Sequence, residues 1–142
     1  MVKLPKGTRS TFDALHRIIK KGDVISLRSE LDAGTNPNLS NRFAWTLLML
    51  SALEGNLKIG ELLISRGADV NATNKFGETA LSLAAHRAHM RFIKLLLTHG
   101  ASADCLPHGS NLEDRLRSSS GLSDHKIADI MDVVRTTKAD SW

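Results

Sequence analysis

The sequence predicts an all-α solenoid of stacked helix–turn–helix units that are joined by β-turn-like loops. Three observations predict this fold class. Several residue types recur at an interval of 33 residues, and repetition at such a period is typical of repeat proteins. The apolar residues between the recurring positions follow the spacing of short amphipathic helices. Only 4% of the residues are aromatic and none is tyrosine, so aliphatic residues must fill the core.

The 33-residue period is kept by independent sets of positions. Chance would not hold glycine, aliphatic, hydroxyl and aromatic residues in one register, so the period indicates repeated structural units. The recurring sets are Gly22, Gly55, Ala88 and Gly121; Gly34, Gly67 and Gly100; Leu31, Ile64 and Leu97; Thr46 and Thr79; and Phe43 and Phe76.

A single domain is expected, because 142 residues suit one continuous core. The first and last units are expected to be caps that bury one side and expose the other to water. Residues 1–8 and 135–142 are expected to be terminal tails, and residues 135–142 lack a helical pattern. The domain is expected over residues 9–134, with units at about 9–41, 42–74, 75–107 and 108–134.

The third unit shows the two-helix pattern most clearly. Glu78–Ala88 contains alanines that let a neighbouring helix approach closely. His89–His99 places its apolar residues at i, i+3, i+6 and i+7, and Gly100 follows where a helix favours a residue that tolerates a left-handed conformation. Helices this short are not stable alone, so stacking of neighbours must stabilise them.

The outer units follow the same plan less clearly. Arg9–Lys21 places apolar residues on one face and leaves Arg17, Lys20 and Lys21 on the other. In the fourth unit we expect a last helix over Asp124–Val134, with an N-cap at Ser123. Counted from the turn glycine, this helix carries a one-residue insertion.

Three segments carry a family resemblance. Arg66–Asn71 (RGADVN) and Leu31–Asn38 (LDAGTNPN) are similar to a loop that follows the second helix of a repeat. Gly77–Ala84 (GETALSLA) is similar to the signature G-x-T-P-L-H-x-A. Together they resemble the ankyrin-repeat family, over about residues 12–106 with a degenerate fourth unit. The resemblance implies a stack of helix pairs that binds another protein.

The central units depart from the family pattern at several positions. Leu47 and Ala80 stand where the family usually has proline. Met49 and Ser82 stand where it has a histidine that hydrogen-bonds between repeats. Each lost bond is expected to cost about 0.5–1.5 kcal/mol, unless Ser82 substitutes in part. Ala88 replaces the turn glycine, which predicts a less left-handed turn or some strain.

Composition excludes several classes of protein. Cys105 is the only cysteine, so the chain forms no internal disulfide, and it lacks the neighbours of a zinc site. No apolar run approaches the length of about 20 residues that a membrane span needs. No apolar stretch follows the basic start, so we expect no secretory signal. The expected location is the cytoplasm or the nucleus, with no cofactor and no metal.

A few residues suggest chemistry, and none forms a catalytic set. His86 and His89 lie three residues apart, but no fitting further ligand favours a metal site over two polar residues at a turn. Cys105 and His108 could form a nucleophile and its base. However, residues so close in sequence rarely face each other, and no Asn or Asp is positioned to orient the histidine. The Ser118–Ser120 cluster is a candidate for phosphorylation beside nearby arginines. We expect no enzyme activity.

The ankyrin resemblance implies where a partner binds. In the family, the concave surface comprises the turn tips and the exposed face of each first helix. The corresponding positions here are Lys20 and Lys21 in the first unit; Arg42, Phe43, Trp45, Leu53 and Glu54 in the second; and Lys75, Phe76, Glu78, His86 and Arg87 in the third.

Two interpretations of the aromatic residues stay open. In the first interpretation, Phe43, Trp45 and Phe76 are the residues that bind the partner, because aromatic residues are enriched at interface hot spots. Alternatively, the rings pack across adjacent turns and hold the tips together, which suits the recurrence of the two phenylalanines. Trp45 favours a binding role, because its counterpart one period later is Glu78.

The leading functional hypothesis is a monomeric adaptor or inhibitor that binds another protein through its concave surface. The net charge of +4 leaves open a binder of an acidic surface or of nucleic acid, although the spread of the charges disfavours nucleic acid. A regulatory subunit of a larger assembly is a further alternative. Leu63–Asn71 also resembles the site at which an asparaginyl hydroxylase modifies ankyrin repeats, which makes Asn71 a candidate for modification.

Overall fold

The computed structural model describes residues 9–103, 111–119 and 121–140. Within these residues the chain forms helices and no strand, apart from one isolated antiparallel bridge between Ser40 and Thr46. The expected all-α solenoid is therefore confirmed. The helices are α1 Arg9–Lys21, α2 Val24–Asp32, α3 Leu47–Glu54, α4 Leu57–Ser65, α5 Ala80–His86, α6 Met90–Thr98, α7 Leu112–Ser119 and α8 Asp124–Asp140.

The helices stack in two rows. In the inner row, α1, α3, α5 and α7 each contact the next member. In the outer row, α2, α4, α6 and α8 do the same, and each inner helix also packs on the outer helix that follows it. One continuous hydrophobic cluster joins all the units, from Phe12 to Val134. Each unit thus buries its apolar face against its neighbours, as expected for a repeat protein.

Polar side chains fix where the helices begin. The hydroxyl of Thr46 accepts from the backbone N–H of Met49 at 3.2 Å and so caps α3. The amide oxygen of Asn56 caps α4 in the same way, at 3.1 Å from the backbone nitrogen of Ile59. Asp23 caps α2, and hydrogen bonds from the side chain and backbone of Ser26 lower the pKa of its carboxyl group. These caps satisfy N–H groups that a helix leaves unpaired.

Ser82 does not substitute for the histidine that bonds between repeats. Its hydroxyl accepts from the N–H of Thr79 at 2.9 Å and donates to the carbonyl of Thr79, which completes a capping box within the third unit. A different residue links the helices of two units. His89 places Nε2 at 3.0 Å from the carbonyl oxygen of Leu53 in the second unit.

The turn at Ala88 stays left-handed. Its φ is 56°, close to the 69° of Gly55 one period earlier, so the expectation of a less left-handed turn is wrong and the expectation of strain holds. The same conformation occurs at Ala44, with a φ of 63°. In the left-handed backbone conformation, the Cβ of a residue other than glycine comes too close to the following carbonyl oxygen, which costs about 1–2 kcal/mol.

The C-terminal helix is longer than expected. The cap at Ser123 is confirmed, since its hydroxyl accepts from the N–H of Lys126 at 3.3 Å, and the extra residue after Gly121 is present. However, α8 continues past Val134 to Asp140, so the expected tail from residue 135 is wrong over its first six residues. The helix packs along α6 and buries Thr137. Extending an existing helix needs no new nucleus, so the weak apolar pattern suffices.

Candidate partner-binding surface

Two tight loops project the predicted aromatic residues. Finger 1 comprises residues 41–45 and finger 2 comprises residues 74–78. In finger 1, the amide oxygen of Asn41 accepts from the N–H of Phe43 at 2.9 Å and of Trp45 at 3.0 Å. In finger 2, Asn74 accepts from Phe76 at 2.9 Å and Glu78 at 3.0 Å. Each asparagine therefore closes its loop from inside.

The two fingers also bind each other. The N–H of Lys75 donates to the carbonyl of Phe43 at 3.0 Å. The rings of Phe43 and Phe76 lie 6.0 Å apart between centroids, and the guanidinium carbon of Arg42 lies 4.7 Å from the centre of the Phe43 ring. The rings do pack across adjacent turns. They nevertheless stay 40% and 59% exposed, so this pair faces solvent on its outer side.

A third contact holds finger 2 in place. The guanidinium of Arg115 on α7 donates to the carbonyl of Gly77. Sequence reasoning treated Arg115 only as a charge partner for the serine cluster and missed this contact. Its neighbour Arg117 bonds Glu113 at 2.9 Å and Asp124 at 3.1 Å, and the bond to Glu113 raises the pKa of Arg117. The nearby arginines are thus engaged within the protein.

Trp45 differs from the two phenylalanines, because it is half-buried and packs against the hydrophobic core. It lies in the wall of a shallow groove between α1 and α3, with a volume of about 300 Å³. We name this feature the α1–α3 groove. It is lined by Phe12, His16, Asn41, Trp45, Leu50 and Leu53.

The α1–α3 groove was only partly visible in the sequence. Trp45 and Leu53 were predicted, whereas Phe12 and His16 were not. Phe12 and Trp45 are separated by the 33-residue period, and that register could have found the pair. At the next equivalent position, Glu78 accepts a hydrogen bond from the side chain of Asn74 at 3.1 Å.

The other predicted residues lie at the C-terminal ends of the inner helices. Lys20 and Lys21 end α1, Glu54 ends α3 and Arg87 follows α5, and all four are exposed. His86 is half-buried, with Nδ1 at 2.6 Å from the carbonyl oxygen of Ser82. Cations are favoured at helix C-termini by the helix dipole. The fingers and helix ends thus present cations, carboxylates and aromatic rings in successive units.

No cluster of three or more potential metal ligands occurs within residues 9–103, 111–119 and 121–140. His86 and His89 bond the carbonyl oxygens of Ser82 and Leu53, which belong to different units. Cys105 and His108 lie outside the described residues, as does Ser120 of the serine cluster. Ser118 is exposed, and its hydroxyl donates to the carbonyl of Arg115 at 3.2 Å.

Asn71 has a structural role in the loop that joins two units. Its Nδ2 donates to the carbonyl of Gly100 at 3.0 Å, and its Oδ1 accepts from the N–H of Ser102 at 2.9 Å. Asn38 makes the equivalent bonds to Gly67 and Asp69 one unit earlier. Asparagine at this position links successive loops in both cases. Modification of Asn71 stays a prediction.

A comparison with protein families decides the classification. A family model of ankyrin repeats, in three copies, matches residues 15–106, which is more than half of the chain. The protein belongs to the ankyrin-repeat family. Ankyrin repeats are generally protein–protein interaction modules, and the family is typically non-enzymatic. A search of curated protein sequences finds no match. None of the helices in the described part is long and apolar enough to cross a membrane.

Proposed function

We propose that this ankyrin-repeat protein is a monomeric, non-catalytic adaptor or inhibitor of the cytoplasm or nucleus. It binds a partner protein through the two fingers and the adjoining ends of the inner helices. The observation that carries the proposal is the exposed pair of Phe43 and Phe76. Apolar groups rimmed by polar residues on a surface mark interaction sites. Here the rim is Arg42 and Lys75, the tip neighbours of the two rings.

The fingers are well suited to binding because they are already ordered. Asn41 and Asn74 close the loops internally, and the bond from Lys75 to Phe43 fixes one loop against the other. Association loses free energy when loops and side chains must be ordered, so a preformed surface binds more tightly. Aromatic rings and arginine also dominate hot spots at protein interfaces.

The test compares two double variants in affinity capture from cells that contain the protein. Phe43→Ala/Phe76→Ala removes the exposed rings, and Arg91→Ala/Lys94→Ala changes two exposed residues of α6 in the outer row. Each captured partner is then purified, and its Kd is measured by calorimetry for every variant. We expect the finger variant to bind at least about tenfold more weakly, and the outer-row variant to bind like the wild type.

The finger variant must be shown to stay folded, because the two rings contact each other. An aromatic pair contributes about 0.5–1.5 kcal/mol beyond its buried area, so thermal melting should show a modest loss. An unchanged Kd for a folded finger variant would overturn the proposal. Equal loss of binding in both double variants would do so as well, since the outer row would then matter as much as the fingers.

A further inference from the structure

Helix α7 places one serine of the Ser118–Ser120 cluster beside an arginine that holds finger 2. Ser118 is exposed in the last turn of α7, and its hydroxyl donates to the carbonyl of Arg115 at 3.2 Å. The guanidinium of Arg115 in turn donates to the carbonyl of Gly77 in finger 2. Because side chains three residues apart are neighbours on a helix surface, a charge added at Ser118 lies close to this side chain.

The sequence before Ser118 has the charge pattern that arginine-directed protein kinases recognise. Such kinases recognise arginines that precede the acceptor hydroxyl, above all the one three positions before it. Of the arginines in the chain, only Arg115 and Arg117 have a serine or threonine three positions later, namely Ser118 and Ser120. Ser120 lies outside the described residues. A kinase binds its acceptor in an extended segment, and the last turn of a helix frays without unfolding the rest.

We propose that Ser118 is a phosphorylation site and that its phosphate releases Arg115 from Gly77, which loosens finger 2. In the reaction, the hydroxyl oxygen of Ser118 forms a bond to the γ-phosphorus of ATP, and the bond from that phosphorus to the departing ADP breaks. The hydroxyl proton passes to a carboxylate of the kinase. The consequence for a partner rests on the proposed function, since finger 2 belongs to the same binding surface.

The charges beside Ser118 favour this release. Asp114 is exposed one turn before Ser118 and repels a phosphate there. The carbonyl groups at the C-terminal end of α7 repel it as well, because the helix dipole disfavours an anion at that end. Arg115 is attracted, and a guanidinium bonds a phosphate more strongly than a neutral carbonyl. Arg115 therefore leaves Gly77 whether it follows the phosphate or the last turn unwinds.

Arg117 competes less for the phosphate, although it directly precedes Ser118. Its guanidinium is paired with Glu113 at 2.9 Å and with Asp124 at 3.1 Å. Successive side chains of a helix also do not face each other. Arg115 is thus the arginine on which the phosphate acts.

Finger 2 keeps its other contacts when Arg115 leaves. Asn74 closes the loop from inside, and the N–H of Lys75 donates to the carbonyl of Phe43 in finger 1. The phosphate therefore makes finger 2 more mobile without unfolding it. A mobile loop must be ordered on binding, which lowers the affinity for a partner.

The first experiment identifies the modified residue. The full chain is incubated with an arginine-directed protein kinase and MgATP, and the phosphate is located by mass spectrometry. We expect phosphate at Ser118, which Ser118→Ala abolishes and Ser119→Ala leaves in place. Phosphate on Ser119 or Ser120 alone, or on none of the three serines, would overturn the assignment.

Hydrogen exchange then measures finger 2 without any partner. The backbone amides of residues 74–78 should exchange at least about threefold faster in the phosphorylated chain, because a hydrogen bond from a charged group is lost. Arg115→Ala should give the same increase with no phosphate present. Unchanged exchange in finger 2 after phosphorylation would contradict the release of Arg115.

Thr98→Glu is a matched control for a negative charge at a helix end. Thr98 is exposed at the end of α6, and its hydroxyl donates to the carbonyl of Lys94 at 2.7 Å, much as Ser118 donates to Arg115. Ser118→Glu should speed exchange in finger 2, whereas Thr98→Glu should speed it only near the end of α6. An equal change in finger 2 for both variants would show a general loss of stability and refute the inference.

Partner binding separates this inference from the proposed function. A partner captured through the fingers should bind the phosphorylated chain at least about threefold more weakly, because finger 2 must then be ordered. If the Phe43→Ala/Phe76→Ala variant binds normally, the proposed function fails, while the release of finger 2 still stands on the exchange data. If that variant binds weakly but phosphorylation changes neither the exchange nor the Kd, only the regulation by Ser118 fails.

Discussion

The second unit, residues 42–74, and the third unit, residues 75–107, each contain two left-handed turns at matching positions. Where one unit has glycine at such a turn, the other has alanine. The finger turn is formed by Ala44 in the second unit and by Gly77 in the third, with φ values of 63° and 74°. The turn between helices is formed by Gly55 and then by Ala88, with φ values of 69° and 56°. The difference teaches that the repeat imposes the backbone conformation. Each unit tolerates one alanine where glycine is favoured.

The two units also differ in how they face a partner. Trp45 adds an apolar wall beside finger 1, whereas Glu78 at the matching place is held by Asn74 within finger 2. Units that share a backbone therefore present different chemistry. In the outer row, too, the side chains of neighbouring units complement each other. Gly60 of α4 has no side chain, and this leaves room for the ring of Phe92 of α6.

Gly55→Ala is expected to have the largest effect on stability. The new Cβ would adopt a left-handed conformation and lie 2.6 Å from Nδ1 of His89. Left-handed strain, less the extra entropy that glycine loses on folding, leaves about 0.5–1 kcal/mol, and overpacking adds about 1–3 kcal/mol, so we expect a loss of about 1.5–4 kcal/mol. Urea denaturation measures this loss in the free energy of unfolding.

The matched control for this change is the double variant Gly55→Ala/His89→Ala. Compared with His89→Ala alone, it should show only the loss due to the backbone, because the clashing ring is gone. A Gly55→Ala protein that loses less than about 1 kcal/mol would contradict the comparison, since Gly55 and Ala88 would then be interchangeable.

Gly60→Ala is expected to have an intermediate effect. Alanine favours a helix over glycine by about 1 kcal/mol, but its Cβ would lie 2.6 Å from Cε2 of Phe92, which is buried at 1% exposure. Overpacking should prevail and leave a net loss of about 1–2 kcal/mol in denaturant unfolding. In a Phe92→Leu background, the same substitution should lose less. A net gain in the natural background would show that Phe92 moves aside freely.

Ala44→Gly and Ala88→Gly are expected to have the smallest effects, and of the opposite sign. Each removes left-handed strain of about 1–2 kcal/mol, offset by about 0.5–1 kcal/mol of added chain entropy in the unfolded state. Each should therefore raise the free energy of unfolding by about 0.5–1 kcal/mol. Ala33→Gly serves as control, because Ala33 has a φ of −75° and should lose stability. Destabilisation by all three changes would refute strain at the two turns.

The sequence predicted what depends on local spacing. The 33-residue period located the units, and the third-unit helices appear where expected, with ends a few residues shorter. The cap at Ser123 followed from the residue type that favours that position. The recurrence of Phe43 and Phe76 suited one of the two open interpretations, packing of the rings across adjacent turns, and the ring centroids do lie 6.0 Å apart.

Other features could not be read in this way. Ser82 completes a capping box with Thr79, whereas the sequence left open whether Ser82 replaces part of the bond between repeats. The end of α8 lies beyond its apolar pattern, because packing along α6 supports residues that would not nucleate a helix. Neither result depends on sequence spacing alone.

By itself, the sequence determined the repeat, the family and the residues that stand at finger tips and helix ends, because these follow from periodicity and from the conformational preferences of glycine, threonine and asparagine. Only the tertiary structure decided that Phe43 and Phe76 touch while staying exposed, and that Trp45 and Phe12 line one groove. The physical reason is that both features lie between units, where stacking distance and side-chain orientation are set by the packed core.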